Sequence, residues 1–385
     1  MPGSGARQWP VSGPAAATLH AVSIEALPRA GEESFAAAFR AFRASALAIA
    51  MDLPPGRPAV PASAALKAVC ARALTVRDDA GEAEARAFAL AHFDAWRIEP
   101  LPPSPVAGAA PRGFVTGYYE PELDASHGQN ISYTAPLLSR PGDLVTFVAG
   151  ETPPRLDSRL AAARRMPDGQ FAAYPTRAEI ALARPPGCEP LAWLPDAVEV
   201  FLVQVQGSAR LRFADGGAAR LGYAGRNGHP YTSIGRKLIE RGVISENAMS
   251  LAALKAWLRA NGEAGVALMH ENASYVFFRF EAGLDAALGP RAAAGVQLTP
   301  LRSIAIDRAL WSYGLPFWLD ARLPWQGAAA TPFHRLMIAQ DTGSAIVGPA
   351  RADIFFGSGE AAGERAGDIR HPATLHVLLP REGDT

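Results

Sequence analysis

Three short apolar segments near the C-terminus each carry an aspartate, and they restrict the fold more than anything else in the chain. In Ser303-Ile-Ala-Ile-Asp307, Ser303, Ala305 and Asp307 share one face and the isoleucines take the other, which is the period-two alternation of a strand. Leu336-Met-Ile-Ala-Gln-Asp341 repeats the arrangement and runs into Thr342-Gly343, while Arg351-Ala-Asp-Ile-Phe-Phe356 puts Asp353 on the face of Arg351 and Phe355. Asp341 and Asp353 are twelve residues apart with Gly343 and Gly348 between them, room for a turn and the next strand, so adjacent strands are expected to bring the two carboxylates together. An aspartate beside a second carboxylate and an aromatic ring has its pKa raised by like charge and desolvation. It can then act as a general acid near neutral pH. If each aspartate merely caps a turn or pairs with Arg308 or Arg351, the same pattern is structural, and both readings stand on spacing alone.

The rest of the chain narrows the class. At 385 residues it holds two or three domains. Lys+Arg and Asp+Glu are 37 each, so there is no basic footprint for nucleic acid, and 49% hydrophobic against 19% charged residues excludes disorder through charge excess. Thirty-six glycines and 33 prolines disfavour an all-helical bundle. Phe35, Phe39 and Phe42 share a helical face, and the Ala-rich runs Ala62–Leu74 and Ala80–Trp96 predict two more helices. Pro100–Pro111 reads as a linker. After it come short runs that predict strands, Gly113–Tyr119, Val198–Val205, Ala209–Phe213, Tyr275–Phe280 and Thr374–Leu379, interrupted by helices at Ser233–Arg241 and Ser250–Ala260. The fold class is mainly β with N-terminal helices and barrel-like, mainly antiparallel sheets.

No metal or other cofactor is predicted. Cys70 and Cys188 have no His or Cys at ligand spacing, and the same is true of His229 and His270. No run of eighteen apolar residues occurs, and residues 1–30 show neither an export signal nor a lipoprotein cysteine and are expected to be a flexible segment. Asp341-Thr-Gly-Ser344 also spells the active-site tetrapeptide of aspartic proteases. A two-lobed protease needs a second copy, and none is present.

Six further motifs precede the aspartates: Gly113-Phe-Val-Thr-Gly-Tyr-Tyr-Glu-Pro121, Tyr174-Pro-Thr-Arg-Ala-Glu-Ile180, Val203-Gln-Val-Gln-Gly-Ser208, Gly222-Tyr-Ala-Gly-Arg-Asn-Gly-His229, Ser233-Ile-Gly-Arg-Lys-Leu-Ile239 and Tyr275-Val-Phe-Phe-Arg279. With the three-aspartate region they resemble, in order, the membrane-bound lytic murein transglycosylase A family. The resemblance covers about residues 110–380. It implies a double-psi β-barrel domain built from 31–121 and 281–385, a β-rich domain inserted over 122–280, and a groove between them for a peptidoglycan glycan strand. The implied reaction cleaves the bond between N-acetylmuramic acid and N-acetylglucosamine and leaves a 1,6-anhydromuramoyl end. By place in the motif, Asp353 corresponds to the acid/base and Asp341 to its neighbour, with Asp307 in support. Thr116, Gly117, Tyr118, Tyr119, Gln206, Gly207, Ser208, Tyr223 and Asn227 are the candidate substrate contacts, their rings and polar groups suited to sugars. Peptidoglycan and other cell-wall enzymes are the partners it suggests, and the periplasm, in association with the outer membrane, the location. A non-catalytic peptidoglycan-binding protein and an aspartic protease are the competing readings.

Overall fold

The computed structural model describes residues 5–11, 16–101, 113–147, 152–153 and 155–381. The expected linker lies outside the described residues except for Pro100 and Leu101. The chain divides into two compact units, one of Met1–Tyr119, Asp285–Gly357 and Ala361–Thr385, the other of Glu120–Leu284 and Ser358–Glu360.

The first unit is built on one sheet. Its strands are β1 (Ala6–Trp9), β2 (Ala17–Val22), β3 (Phe93–Pro100), β4 (Gly113–Glu120), β5 (Ser303–Ile306), β6 (Pro316–Leu323), β7 (Thr331–Asp341), β8 (Arg351–Ser358) and β9 (Arg370–Pro380). They are ordered β1-β2-β3-β9-β6-β7-β5-β8-β4, and β9 also pairs with β4. That last pairing closes β4, β9, β6, β7, β5 and β8 into a six-stranded barrel. Within the barrel β5 pairs with β8, β6 with β7, β6 with β9 and β9 with β4 antiparallel, while β5 pairs with β7 in parallel. Within residues 1–30 the described stretches carry β1 and β2. Strand β2 pairs with β3 along its length, with Ala17 and Leu19 fully buried, because its alternation turns small and apolar residues inward.

Three helices, α1 (Phe35–Ala50), α2 (Ala64–Thr75) and α3 (Glu82–His92), cover one side of this sheet. Ser34 and Ser63 cap the first two by accepting from the N–H of Ala37 and Leu66. Phe39, Phe42, Phe88 and Phe93 form a continuous aromatic cluster. The third helix ends at His92, earlier than its composition suggests, and the chain goes straight into β3. Gln340 of β7 donates to the Ala41 carbonyl (2.9 Å) and Ser45 Oγ (2.8 Å), which fixes α1 on the barrel by a buried polar group with partners on both sides.

The second unit holds a four-stranded sheet in the order Val276–Glu281, Ala218–Arg226, Ala209–Phe213, Glu122–Ala125. Against expectation Val198–Val205 is not a strand but the body of a helix, Ala197–Gln206. Asp196 caps it by accepting from Glu199 N–H (2.9 Å), and Gly207 ends it in the left-handed region at φ 86°. Val198, Phe201 and Leu202 pack toward other helices while Val200 and Val203 pack toward the sheet. A helix buried on both sides has no polar stripe, so its period vanishes from the sequence.

Candidate active site

Strand β5 sets the site. Ala305 is the register partner of Asp341 on one side and of Asp353 on the other. The two aspartates are therefore not on adjacent strands, as their spacing leads one to expect. The chain leaving Asp341 passes over β5 before returning as β8, so the backbones are about 10 Å apart, two strand spacings.

Strand β4 supplies the partners. Thr116 Oγ1 donates to Asp353 Oδ1 (2.5 Å), and Tyr118 Oη donates to Asp341 Oδ2 (2.9 Å). Alternation then puts Gly117 and Tyr119 on the other face. A Cβ on Gly117 would meet the Ala366 carbonyl oxygen at 2.8 Å, and the Tyr119 ring lies against Gly363. Both therefore pack on the helix Glu360–Gly367, away from the carboxylates. Tyr118 also leans on Phe355, with ring centroids 5.3 Å apart.

The two carboxyl groups are held differently. Asp341 Oδ1 accepts from the N–H groups of Thr342 (2.9 Å) and Ala293 (3.1 Å), and with Tyr118 on Oδ2 both its oxygens are engaged. Asp353 Oδ1 is engaged by Thr116, but its Oδ2 has no partner among the described residues. Both side chains are half-buried. Desolvation pushes both carboxyls above the ordinary aspartate value. At Asp353 the cation of Arg351 and the Thr116 hydroxyl pull the other way, and the negative charge of Asp341 pushes up again. Arg351 Nη2 donates to Thr116 Oγ1 (2.7 Å), so the hydroxyl accepts from the guanidinium and gives its own proton to Asp353. Alternation places Arg351 and Asp353 on one face; the relay through a threonine on β4 was not readable, because it depends on barrel closure. Asp307 is buried and ties loops together, accepting from Ala309 N–H (2.9 Å) and Gly348 N–H (2.7 Å). Among the described residues no group of three or more His, Cys, Asp or Glu is arranged to hold a metal ion.

The remaining candidates lie in the second unit. Asn227 is fully buried and serves the backbone, donating to the carbonyls of Pro175 and Ala273 (2.8 Å each) and accepting from Tyr275 N–H (2.9 Å). Gln206 and Gly207 form a helix end rather than the strand end expected, and Ser208 is buried just after it. Tyr223 is half-buried in the strand Ala218–Arg226, where Arg279 donates to its carbonyl (2.9 Å). His229 bonds the Tyr174 carbonyl oxygen (2.7 Å).

Residues 114–279 match the MltA specific insert domain and residues 302–379 the 3D domain. The chain is 38% identical over 206 residues to membrane-bound lytic murein transglycosylase A of Vibrio cholerae, 51% of this chain and 54% of that relative. It is 32% identical over 297 residues to the Escherichia coli K12 protein of the same name, 76% of this chain and 70% of that one. The crystal structure of a membrane-bound lytic murein transglycosylase from Agrobacterium tumefaciens superposes with a TM-score of 0.82 at 34% identity, covering 94% of this chain and 98% of that one. Escherichia coli MltA with bound chitohexaose superposes with a TM-score of 0.58 at 28% identity, covering 83% of each chain. Barrel, paired carboxylates and insert define the class of proteins that combine a 3D domain with an MltA specific insert. Within that class, the chain belongs to the membrane-bound lytic murein transglycosylase A family.

Proposed function

We propose that the chain is a lytic transglycosylase of peptidoglycan, a lyase that cleaves the β-1,4 bond between N-acetylmuramic acid and N-acetylglucosamine, with Asp353 as its single acid/base. The unequal holding of the two carboxyl groups carries the reading. A carboxylic acid needs one oxygen for its proton, and Asp353 has Oδ2 unengaged while Thr116 occupies Oδ1. Asp341, with donors on both oxygens, is arranged as an acceptor throughout.

In the proposed reaction Asp353 gives its proton to the glycosidic oxygen as that bond to the anomeric carbon breaks. The C6 hydroxyl of the same muramic acid attacks the anomeric carbon and loses its proton to Asp353, which ends as it began. Atoms balance without water. Ordinary glycosidases need a second carboxyl as nucleophile or base; here the substrate supplies the nucleophile. Asp341 serves by its charge, opposing ionisation of Asp353 and favouring positive charge at the anomeric carbon.

The domain reading belongs to the same proposal: a double-psi barrel from 31–121 and 281–385, an insert over 122–280, and a groove for a glycan strand. The oligosaccharide bound to the Escherichia coli relative supports a glycan as ligand. Relatives named as membrane-bound support action in the periplasm at the outer membrane. Among the described residues no helix is long and apolar enough to cross a membrane.

Digestion of purified murein sacculi in ¹⁸O-labelled water tests the reaction. Mass spectrometry is expected to find unlabelled anhydro-muropeptides. Labelled reducing ends would make the protein a hydrolase, peptide fragments a protease, and no products a binding protein.

A further inference from the structure

Thr116 stands between two residues of the neighbouring strand. Strand β4 lies beside β8 in the sheet, and Arg351 and Asp353, two residues apart on β8, share a face. The Thr116 hydroxyl meets both, Arg351 Nη2 at 2.7 Å and Asp353 Oδ1 at 2.5 Å. A guanidinium carries donors only. The Thr116 oxygen therefore accepts from Arg351, and its single proton is left for the carboxyl. Among the described residues no other acceptor takes that proton. A contact with substrate, which the motif around Thr116 leads one to expect, would have to make do with one remaining lone pair.

This order of donation decides where the acid proton of Asp353 sits. On Oδ1 it would face the Thr116 proton across 2.5 Å. The hydroxyl could turn away only by giving up its acceptor, which is unfavourable for a half-buried group. Oδ2 has no such opponent, since nothing among the described residues engages it. The titratable and charged groups around the carboxyl are Arg351 on its own strand, Tyr118 on β4 and Asp341 on β7, while β5 presents Ala305, which does not titrate. Tyr118 spends its proton on Asp341. Arg351 and Thr116 favour the ionised Asp353, and Asp341 favours the acid.

We propose that Thr116 is a positioning residue whose hydroxyl, oriented by Arg351, confines the acid proton of Asp353 to Oδ2. The same oxygen then gives the proton to the glycosidic oxygen and takes one back from the C6 hydroxyl, so atoms balance. The proposal rests on Asp353 as the acid/base, and its test includes a measurement that needs no turnover.

Carboxyl ¹³C NMR of the full chain labelled at aspartate Cγ, with Asp353→Asn identifying the Asp353 signal, follows the titration in the parent, Thr116→Val and Thr116→Ser. Valine keeps the shape of threonine without the hydroxyl, and serine keeps the hydroxyl. The ionised carboxylate loses a donor in Thr116→Val, so its midpoint should rise by about one pH unit, and in Thr116→Ser it should stay within about 0.3 of the parent. In sacculus digestion the alkaline limb of Thr116→Val should move up with the midpoint, and kcat should fall about tenfold while KM stays within about twofold. If Thr116→Val does not fold, Thr116→Ala removes the same hydroxyl and is read in the same way. A midpoint that is unmoved or lowered overturns the proposal, as does a raised KM at unchanged kcat, which would make Thr116 a substrate contact. Full activity in Asp353→Asn would overturn the assignment of the acid and this proposal with it, whereas an unmoved midpoint in an enzyme that depends on Asp353 overturns this proposal alone.

Discussion

Asp341 and Asp353 flank the same residue, Ala305, from opposite sides of β5, so a single strand separates the two carboxylates. At about 10 Å and an effective dielectric of about 20, two unit charges interact by roughly 1.7 kcal/mol. Asp341→Asn removes that interaction. Burial remains the main reason the Asp353 carboxyl is raised, but the like charge is lost, so its pKa falls. A general acid acts protonated, and its activity disappears as pH rises through its pKa. The alkaline limb of the pH–rate profile should therefore move to lower pH, and the rate at the optimum should drop about tenfold. An unmoved limb would mean the two groups do not sense each other.

Asp353→Asn is nearly isosteric and can still accept from Thr116, yet it cannot exchange the proton. Turnover of sacculi is expected to fall by about 10²–10⁴-fold, with an unchanged circular dichroism spectrum and melting temperature. Activity within threefold of the parent would move the acid elsewhere.

Arg351→Met acts in the opposite direction to Asp341→Asn. The guanidinium is the leading influence that offsets burial at Asp353, so without it the Asp353 pKa rises and the alkaline limb moves to higher pH. The side chain also fixes Thr116, and its loss should reduce kcat about three- to tenfold. The Met chain keeps bulk against the Phe114 ring, over which the guanidinium sits at 5.5 Å. A purely structural arginine would lower the rate without moving the limb, which makes the pH profile the deciding measurement.

Legibility in the sequence followed from how local each signal was. Alternation around Ile304, Ile306, Ile354 and Phe356 marked strands because one face of each is pure core. It could not tell which strand lies beside which: β5 comes between β7 and β8 although it precedes both in the chain. For the same reason the hydrogen bonds from Thr116 and Tyr118, more than 200 residues away, were invisible to spacing. The buried helix Ala197–Gln206 misled by lacking a polar face, although Asp196 and Gly207 were correct signals for its ends. An exposed and a buried asparagine are spelled alike in sequence, and the burial of Asn227 comes from carbonyl and N–H partners in two segments far from it, Pro175 and Ala273–Tyr275.

That burial gives Asn227 a test of its own. Asn227→Ala leaves two carbonyls and one N–H without their partner, at about 1–3 kcal/mol for a buried group left unsatisfied. Chemical denaturation should show a loss of about 2–4 kcal/mol, while KM for glycan fragments stays within twofold in the folded protein. A raised KM at full stability would return the residue to the substrate.

His376 predicts how stability responds to acid. Its imidazole is buried in β9, Nδ1 has no partner among the described residues, and burial holds its pKa down at about 4, with Asp320 and Arg97 acting on it in opposite directions. In the unfolded chain the same group titrates near 6.5. Below that pH the unfolded state binds a proton that the folded state refuses, so stability is full above about 6.5, declines as pH falls, and stops declining below about 4. Over that window the group contributes a loss of about 3 kcal/mol. Asp341 and Asp353 act with the opposite sign, since carboxyls raised by burial favour the folded state as they protonate. The His376 contribution is isolated by comparison with His376→Leu, which packs in the same apolar surroundings and does not titrate. Urea denaturation at pH 7.5 and 4.5 should show the parent losing about 3 kcal/mol more than the variant between the two, and equal losses would mean that His376 is charged in the folded protein.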